Sequence, residues 1–256
     1  KSGVPNAIKV FKEVLLPQGK TKCAIRLDSG DISYLSKKAR KMLDEAGFPD
    51  AVICASSDLD EYLIESLKAQ GAAIGSWGVG TNLITSKDHP AFGGVYKLAA
   101  IKDGDTFIPR IKLSENQWKI TNPGNKTIYR VYDKTSGKIH ADLICLADES
   151  FDENEPLLLF DPVNTWKKLI LEPGTYTMRE MLVPIFKGGT CVYNSPDVMD
   201  IRKYCAKEQD TLWDETKRFV NPHNVYVDLS EKLWNIKNEL LASYSSSSAH
   251  RRDINA

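Results

Sequence analysis

A chain of 256 residues can bury a sizeable core and sits near the length at which one core divides into two. Its 34 Lys and Arg balance 34 Asp and Glu, so no bulk field draws in a polyanion, and a nucleic-acid partner is not expected. No apolar run reaches the ~18 residues that would cross a bilayer, so a membrane partner is not expected either.

In chain order, the opening KSGVPNAIKVFKEVL lacks the apolar centre of a secretory signal, and a cytoplasmic location is expected. TKCAIRL (21–27) reads as a strand. The helix that follows places Leu35, Ala39, Met42, Leu43 and Ala46 at helical spacing and closes at Gly47. DAVICAS (50–56) reads as a second strand. A helix begins beyond it, with Asp58 as cap, Glu61 completing a capping box, and Gly71 as its end. AAIGSWGVG (72–80) and GGVYKLAAI (93–101) complete a set of four strands, joined closely enough to imply right-handed crossovers in a parallel α/β sheet or barrel.

Past Asp103 and Gly104 the period changes. FIPRIKLS, KTIYRVYD, KIHADLICLAD and PLLLFD, parted by NPGN, KTSG and acidic turns, predict a mostly antiparallel region. MDIRKYCAKEQDTLWDETKRFV and SEKLWNIKNELLASY predict amphipathic helices, and SSSSAHRRDINA a mobile end. The expected organisation is therefore an α/β part (1–103), a β-rich region (104–190), a helical region (191–243) and a flexible tail (244–256). Five scattered cysteines, Cys23, Cys54, Cys145, Cys191 and Cys205, show no CxxC spacing, which argues against a disulfide frame or a structural zinc.

The polar residues that interrupt the apolar runs fall at the carboxyl ends of the predicted strands, where parallel α/β folds bind ligands. AIRLDSGD brings Arg26, Asp28 and Ser29 to the first end, Ser56, Ser57, Asp58 and Asp60 follow the second, and GVGTN, residues 78–82, follows the third. Gly78 and Gly80 permit close approach of backbone to a phosphate, with the Thr81 hydroxyl beside them. Asp28 and Asp58 suit sugar hydroxyls or a hydrated Mg²⁺, and Arg26 suits a carboxylate or phosphate. Each has a plainer reading: an Arg26–Asp28 ion pair closing a strand, Asp58 as helix cap, and Asp31 and Asp60 as helix-dipole residues. Lys97, on an apolar stretch, either lines the site or reaches to solvent. Two phosphate-type contacts and two carboxylates around a sugar-sized gap suggest a phosphorylated ribose.

RLDSGD, SSDLDE, SWGVGTNLITS, GGVYKL, KLSE, NPGNK and WDETKRFVNPHNVYVDLS, with SGVPNAI at the start, together resemble the nicotinate phosphoribosyltransferase family over nearly the whole chain. The resemblance implies the fold of the type II phosphoribosyltransferases, an irregular, barrel-like parallel α/β sheet with a β-rich second region and C-terminal helices. It implies a homodimer with active sites at the interface. The reaction implied joins nicotinate to phosphoribosyl pyrophosphate, giving nicotinate mononucleotide and pyrophosphate with coupled ATP hydrolysis, in NAD biosynthesis; ATP and Mg²⁺ are then required. By the same resemblance Arg26 faces nicotinate or pyrophosphate, Asp28 and Asp58 the ribose and its Mg²⁺-bound neighbours, and Gly80 with Thr81 the 5′-phosphate. The family's phosphorylated histidine lies upstream of the segment that begins here at Ser2, and none of His89, His140, His223 and His250 matches it. The chain is therefore expected to be the carboxyl-terminal portion of such an enzyme, inactive alone. The alternatives are a non-catalytic phosphoribosyl-binding module, half of a split enzyme, or an unrelated phosphate-binding barrel.

Overall fold

The computed structural model describes residues 2–164 and 166–252. It forms two compact units, 1–94 and 95–256, so the division falls before 103 and the fourth predicted strand straddles it.

The first unit opens with helix α1 (Gly3–Val10), a feature the sequence reading did not assign. It runs on through a π turn (Phe11–Leu15) and a 3-10 turn (Leu16–Gln18) to Gly19 at φ +71°. Phe11 is buried there, edge-on to Phe48 at 5.3 Å. Three parallel strands follow in the order β1 (Ala24–Leu27), β2 (Val52–Ala55), β3 (Ser76–Trp77). Register pairs Leu27 with Ala55 and Ala55 with Trp77. Helices α2 (Ile32–Glu45) and α3 (Glu61–Ala69) cover one face of this sheet. Leu43 and Ala39 pack on Ile53, while Ile32, Leu59 and Leu67 pack on Ala55. Strand alternation sends Ala24, Arg26, Val52 and Cys54 to the other face. None of those four is buried, although parallel sheets are ordinarily covered on both sides.

Two expectations for this unit need correction. The third strand is two residues long rather than nine, and GGVYKLAAI makes no fourth parallel strand: Phe92, Val95 and Tyr96 are exposed. Apolar and β-branched residues suit a strand only where a partner edge is offered. Here the turn at Asp103-Gly104, with Gly104 at φ +56°, folds β4 (Ala100–Asp103) onto β5 (Thr106–Pro109) as a hairpin within the second unit.

The second unit is built on a six-stranded sheet of order β10-β6-β7-β13-β8-β9. In chain order these are β6 (Lys126–Asp133), β7 (Ile139–Leu146), β8 (Leu157–Phe160), β9 (Lys168–Leu171), β10 (Tyr176–Glu180) and β13 (Tyr226–Ser230). A short hairpin, β11 (Phe186–Lys187) with β12 (Thr190–Cys191), stands apart. β7 alternates strictly between buried and half-buried residues, and Val131, Leu143, Cys145, Leu159 and Tyr176 form the core. Burial, then the nearby Glu149, Glu180 and Asp148, push the Cys145 thiol up to about 12. All five cysteines are free.

The stretch 191–243 was expected to be helical, yet β13 lies in it and occupies the middle of the sheet, parallel to β7 and antiparallel to β8. YVDLS is a five-residue strand between two strong helical patterns, too short for its period to stand out. Helix α5 (Val198–Asp210) stops ten residues before Val220, the end of the predicted run, and the chain is irregular through DETKRFVNPHN. Helix α6 (Glu231–Arg252) continues into the stretch read as a tail, whose last residues, 253–256, lie outside the described residues.

The NPGN turn carries a measurable constraint. Gly124 has φ +90°, and a Cβ there would lie 2.6 Å from Leu146 Cδ2, while its N–H donates to the Ala99 carbonyl at 2.7 Å. Gly124→Ala forces an L side chain into left-handed backbone and makes the Leu146 methyl move aside, and an equilibrium urea titration should read a loss of about 1–2 kcal/mol, most of it from the backbone.

Candidate functional site

The three parallel strands of the first unit end on one edge, and the residues beyond them are polar. Arg26 and Asp28 lie two apart and so share a face, and Ser56 follows β2, the neighbouring strand. The Arg26 Nη1 group donates to Asp28 Oδ1 at 3.0 Å and to Ser56 Oγ at 3.1 Å, and Ser56 Oγ donates to Asp28 Oδ1 at 2.5 Å. The ion pair envisaged from sequence is therefore present, closed into a triangle across two strand ends. Its side chains stay 63% and 56% exposed, so the remaining guanidinium donors face solvent and are open to an anion.

Ser57 and Asp58 adopt φ values of +97° and +45°, two of four such non-glycine residues among those described, the others being Ser86 and Asn221. Consecutive residues of this kind cost about 1–3 kcal/mol each and persist only where surroundings hold them. Here the holding group is Asn82, whose Nδ2 donates to the carbonyls of Asp58 at 2.9 Å and Leu59 at 3.1 Å. The sequence reading includes Asn82 in GVGTN but gives it no role. A short amide side chain just after a glycine loop was the signal available.

Asp58 is not the helix cap. α3 starts at Glu61, and Asp60 caps it by accepting from the Leu63 N–H at 2.8 Å, because the left-handed turn at residues 57 and 58 delays the helix. Asp31 caps α2 in the same way, accepting from the Tyr34 N–H at 2.9 Å. Relieved of capping, the exposed Asp58 carboxylate is available to a ligand.

Beyond β3, the Gly78 N–H donates to the Ala55 carbonyl at 2.7 Å, which joins the glycine loop to the end of β2. A Cβ at Gly78 would stand 3.5 Å from Ala55 O and Ser56 Cβ. Gly80 and Thr81 open the short helix α4 (Thr81–Ile84), and space around Gly80 is free. Ser29 and Ser57 are exposed on the same edge. Lys97 belongs to the second unit, where its amine donates to the Tyr96 carbonyl at 3.3 Å.

A hollow of about 490 Å³ in the first unit is lined by Asp60, Tyr62, Val79, Asn82, Lys87 and His89 among others; Asp60, Val79 and Asn82 are strand-tip residues named from sequence, but its lining does not include Arg26, Asp28, Asp58, Gly78, Gly80 or Thr81. Those residues make an open edge, not an enclosed cavity. Among the described residues no set of three His, Cys, Asp or Glu side chains converges on a metal position, and no helix is long and apolar enough to cross a membrane.

The first unit thus presents a parallel α/β sheet with polar strand tips, and the second is β-rich. The structure superimposes on human nicotinic acid phosphoribosyltransferase with a TM-score of 0.64 at 24% identity, over 87% of this chain and 41% of the human one. Nicotinate-nucleotide pyrophosphorylase from Pyrococcus furiosus gives 0.50 at 18% identity, over 82% and 45%. Residues 125–237 match the family model described as the nicotinate phosphoribosyltransferase C-terminal domain. The nicotinate phosphoribosyltransferase of Bacillus subtilis (strain 168) is 46% identical over 238 residues, 93% of this chain and 48% of the relative. That of Dictyostelium discoideum is 34% identical over 254 residues, 93% of this chain and 42% of the relative. The chain thus spans about half the length of the curated relatives it matches.

Proposed function

We propose that this chain serves nicotinate phosphoribosyl transfer. Nicotinate and phosphoribosyl pyrophosphate give nicotinate mononucleotide and pyrophosphate, with ATP hydrolysis coupled, in a cytoplasmic homodimer of the NAD-forming route. The observation that carries the reading is the edge at which Arg26, Asp28, Asp58 and the Gly78–Thr81 loop meet, in a chain 46% identical to a protein of that name.

In this reading Arg26 pairs with the nicotinate carboxylate or the departing pyrophosphate, using donors that Asp28 and Ser56 leave free. Asp28 and Asp58 hold ribose hydroxyls and oppose the positive charge that grows at C1 as pyrophosphate departs. Gly78, Gly80 and Thr81 receive the 5′-phosphate, so the sugar is gripped at both ends and the line of attack is set. Ser29 and Ser57 complete the lining. The nicotinate nitrogen attacks with its own lone pair and needs no general base. Two carboxylates fit a Mg²⁺ that arrives on the pyrophosphate and not one held in a protein cage.

The test is product formation by this chain, alone and mixed with the amino-terminal half of the Bacillus subtilis relative, given nicotinate, phosphoribosyl pyrophosphate and MgATP. Nicotinate mononucleotide should form only in the mixture and cease when EDTA removes Mg²⁺. Because the chain spans about half of its relatives, a second reading is a phosphoribosyl-binding module. Calorimetric binding of phosphoribosyl pyrophosphate without product in the mixture would favour that reading.

A further inference from the structure

Asp228 lies in β13, the strand that fills the middle of the second unit's sheet, and is only 7% exposed. Among the described residues neither a hydrogen bond nor an ion pair reaches its carboxylate. A largely covered carboxylate that opens onto a hollow and accepts no bond there leaves its acceptor capacity to a ligand. Burial, and then Asp161, raise its pKa above the usual carboxylate value, while Lys167 opposes them.

The carboxylate borders a cavity of about 230 Å³ lined also by Asp161, Lys167, Lys168, Leu169 and Tyr226. Tyr226 precedes Asp228 by two residues on the same strand, so ring and carboxylate share a face. The ring already carries one cation: Lys167 Nζ lies 4.2 Å from its centroid. That ammonium is not within ion-pair distance of Asp228. Asp161 is occupied, its Oδ1 accepting from the N–H groups of Val163 and Asn164 and its Oδ2 from the Asn164 side chain. Asp228 therefore provides the free acceptor.

Three ligand classes can be weighed. An inorganic anion would meet two carboxylates. A divalent metal would find two carboxylates and no third ligand among the described residues. An organic cation meets the two carboxylates, the Tyr226 ring beside the Lys167 already on it and the apolar Leu169, with Asp161 and Asp228 offsetting the charge of Lys167 and Lys168, and the volume accommodates about eight water-sized groups at ~30 Å³ each. We propose that this cavity is a binding site for a small organic cation, an ammonium or amidinium on a flat apolar body, with Asp228 as its counter-ion and Tyr226 as its platform.

The site belongs to the second unit alone, and its test reads binding, so its failure leaves the reading of turnover untouched. Benzylammonium, with benzyl alcohol as neutral partner, would be titrated calorimetrically into the full chain, with amide shifts followed by NMR. Benzylammonium should saturate with a Kd below about 5 mM, and benzyl alcohol should bind at least about tenfold more weakly. Shifts should centre on residues 161–169 and 226–228. Asp228→Asn, nearly isosteric, should weaken binding about tenfold or more. Should that variant fail to fold, Tyr226→Leu should weaken it about threefold to fivefold through loss of the ring face. Weaker saturation, equal affinity for the two probes, or unchanged affinity in a folded variant overturns the proposal.

Discussion

Arg26→Ala is expected to lower kcat/KM for nicotinate mononucleotide formation in the assembled enzyme by about 10²–10³-fold, while the thermal midpoint moves by no more than about 2 °C. The two halves of that expectation have different sources. Arg26 and Asp28 are more than half exposed, and an exposed ion pair contributes at most about 1 kcal/mol to folding. Asp28 also keeps its bond from Ser56 when the arginine is gone. An arginine fork presented to a substrate anion, by contrast, contributes several-fold more to a transition state than to the fold. Arg26→Lys keeps the charge but not the fork, and should recover only part of the rate. A variant that melts early yet turns over normally would make the Arg26–Asp28–Ser56 triangle a strand-end fastening and remove it from the site.

The second large effect is expected in the other unit. Glu208→Ala should release α5 from the sheet. Every residue of that helix from Val198 to Asp210 is exposed except Glu208, so apolar packing contributes little to its attachment. The carboxylate accepts two bonds from Arg179 at 2.8 and 2.6 Å and a third from Arg130 at 3.4 Å, and Arg130 is itself held bidentately by Asp142. The loss should be about 2 kcal/mol, between the ranges for exposed and buried pairs, because Glu208 is largely covered while Arg179 is over a third exposed. Hydrogen exchange of amides 198–210 should quicken accordingly while those of β7 stay slow.

The same cluster sets a pH dependence. Bonding from Arg179 holds the Glu208 pKa below its ordinary value. The stabilisation is therefore complete above the unfolded-state pKa and disappears as pH falls through the lower folded-state value. Acidification below the usual glutamate range should lower the protection of the α5 amides in the parent, relative to their intrinsic exchange rate at each pH, and leave that of Glu208→Ala unchanged.

How much of this was legible in the residues differs between the units. β1, α2, β2 and α3 were placed within a few residues because each has an apolar face of the right period and a cap or glycine at its end, and the common edge follows from their parallel order. The pairing of Arg26 with Asp28 is visible only as an alternative, and the part Ser56 takes in it not at all, since a spacing of two shows a shared face but not which partner a side chain takes. Asp58 was misread as a cap because SDLDE offers two acidic residues and only the left-handed backbone at Ser57 and Asp58 decides between them. The run at 93–101 was misread because apolar content reports propensity and not whether an edge is there to pair with. Asp228 carried no visible signal, as a single acidic residue in YVDLS has the pattern of an ordinary amphipathic strand.

The place of β13 has a consequence for how the molecule is made. β7 and β8 are neighbours in sequence but not in space, and residues 226–230 must arrive before the gap between them closes. During synthesis the nascent sheet waits as two open-edged halves until the ribosome is past residue 230, a period in which both halves are exposed to wrong pairings with other chains. A polypeptide ending before Tyr226 should for that reason accumulate as aggregate, whereas the intact chain refolds from dilute denaturant.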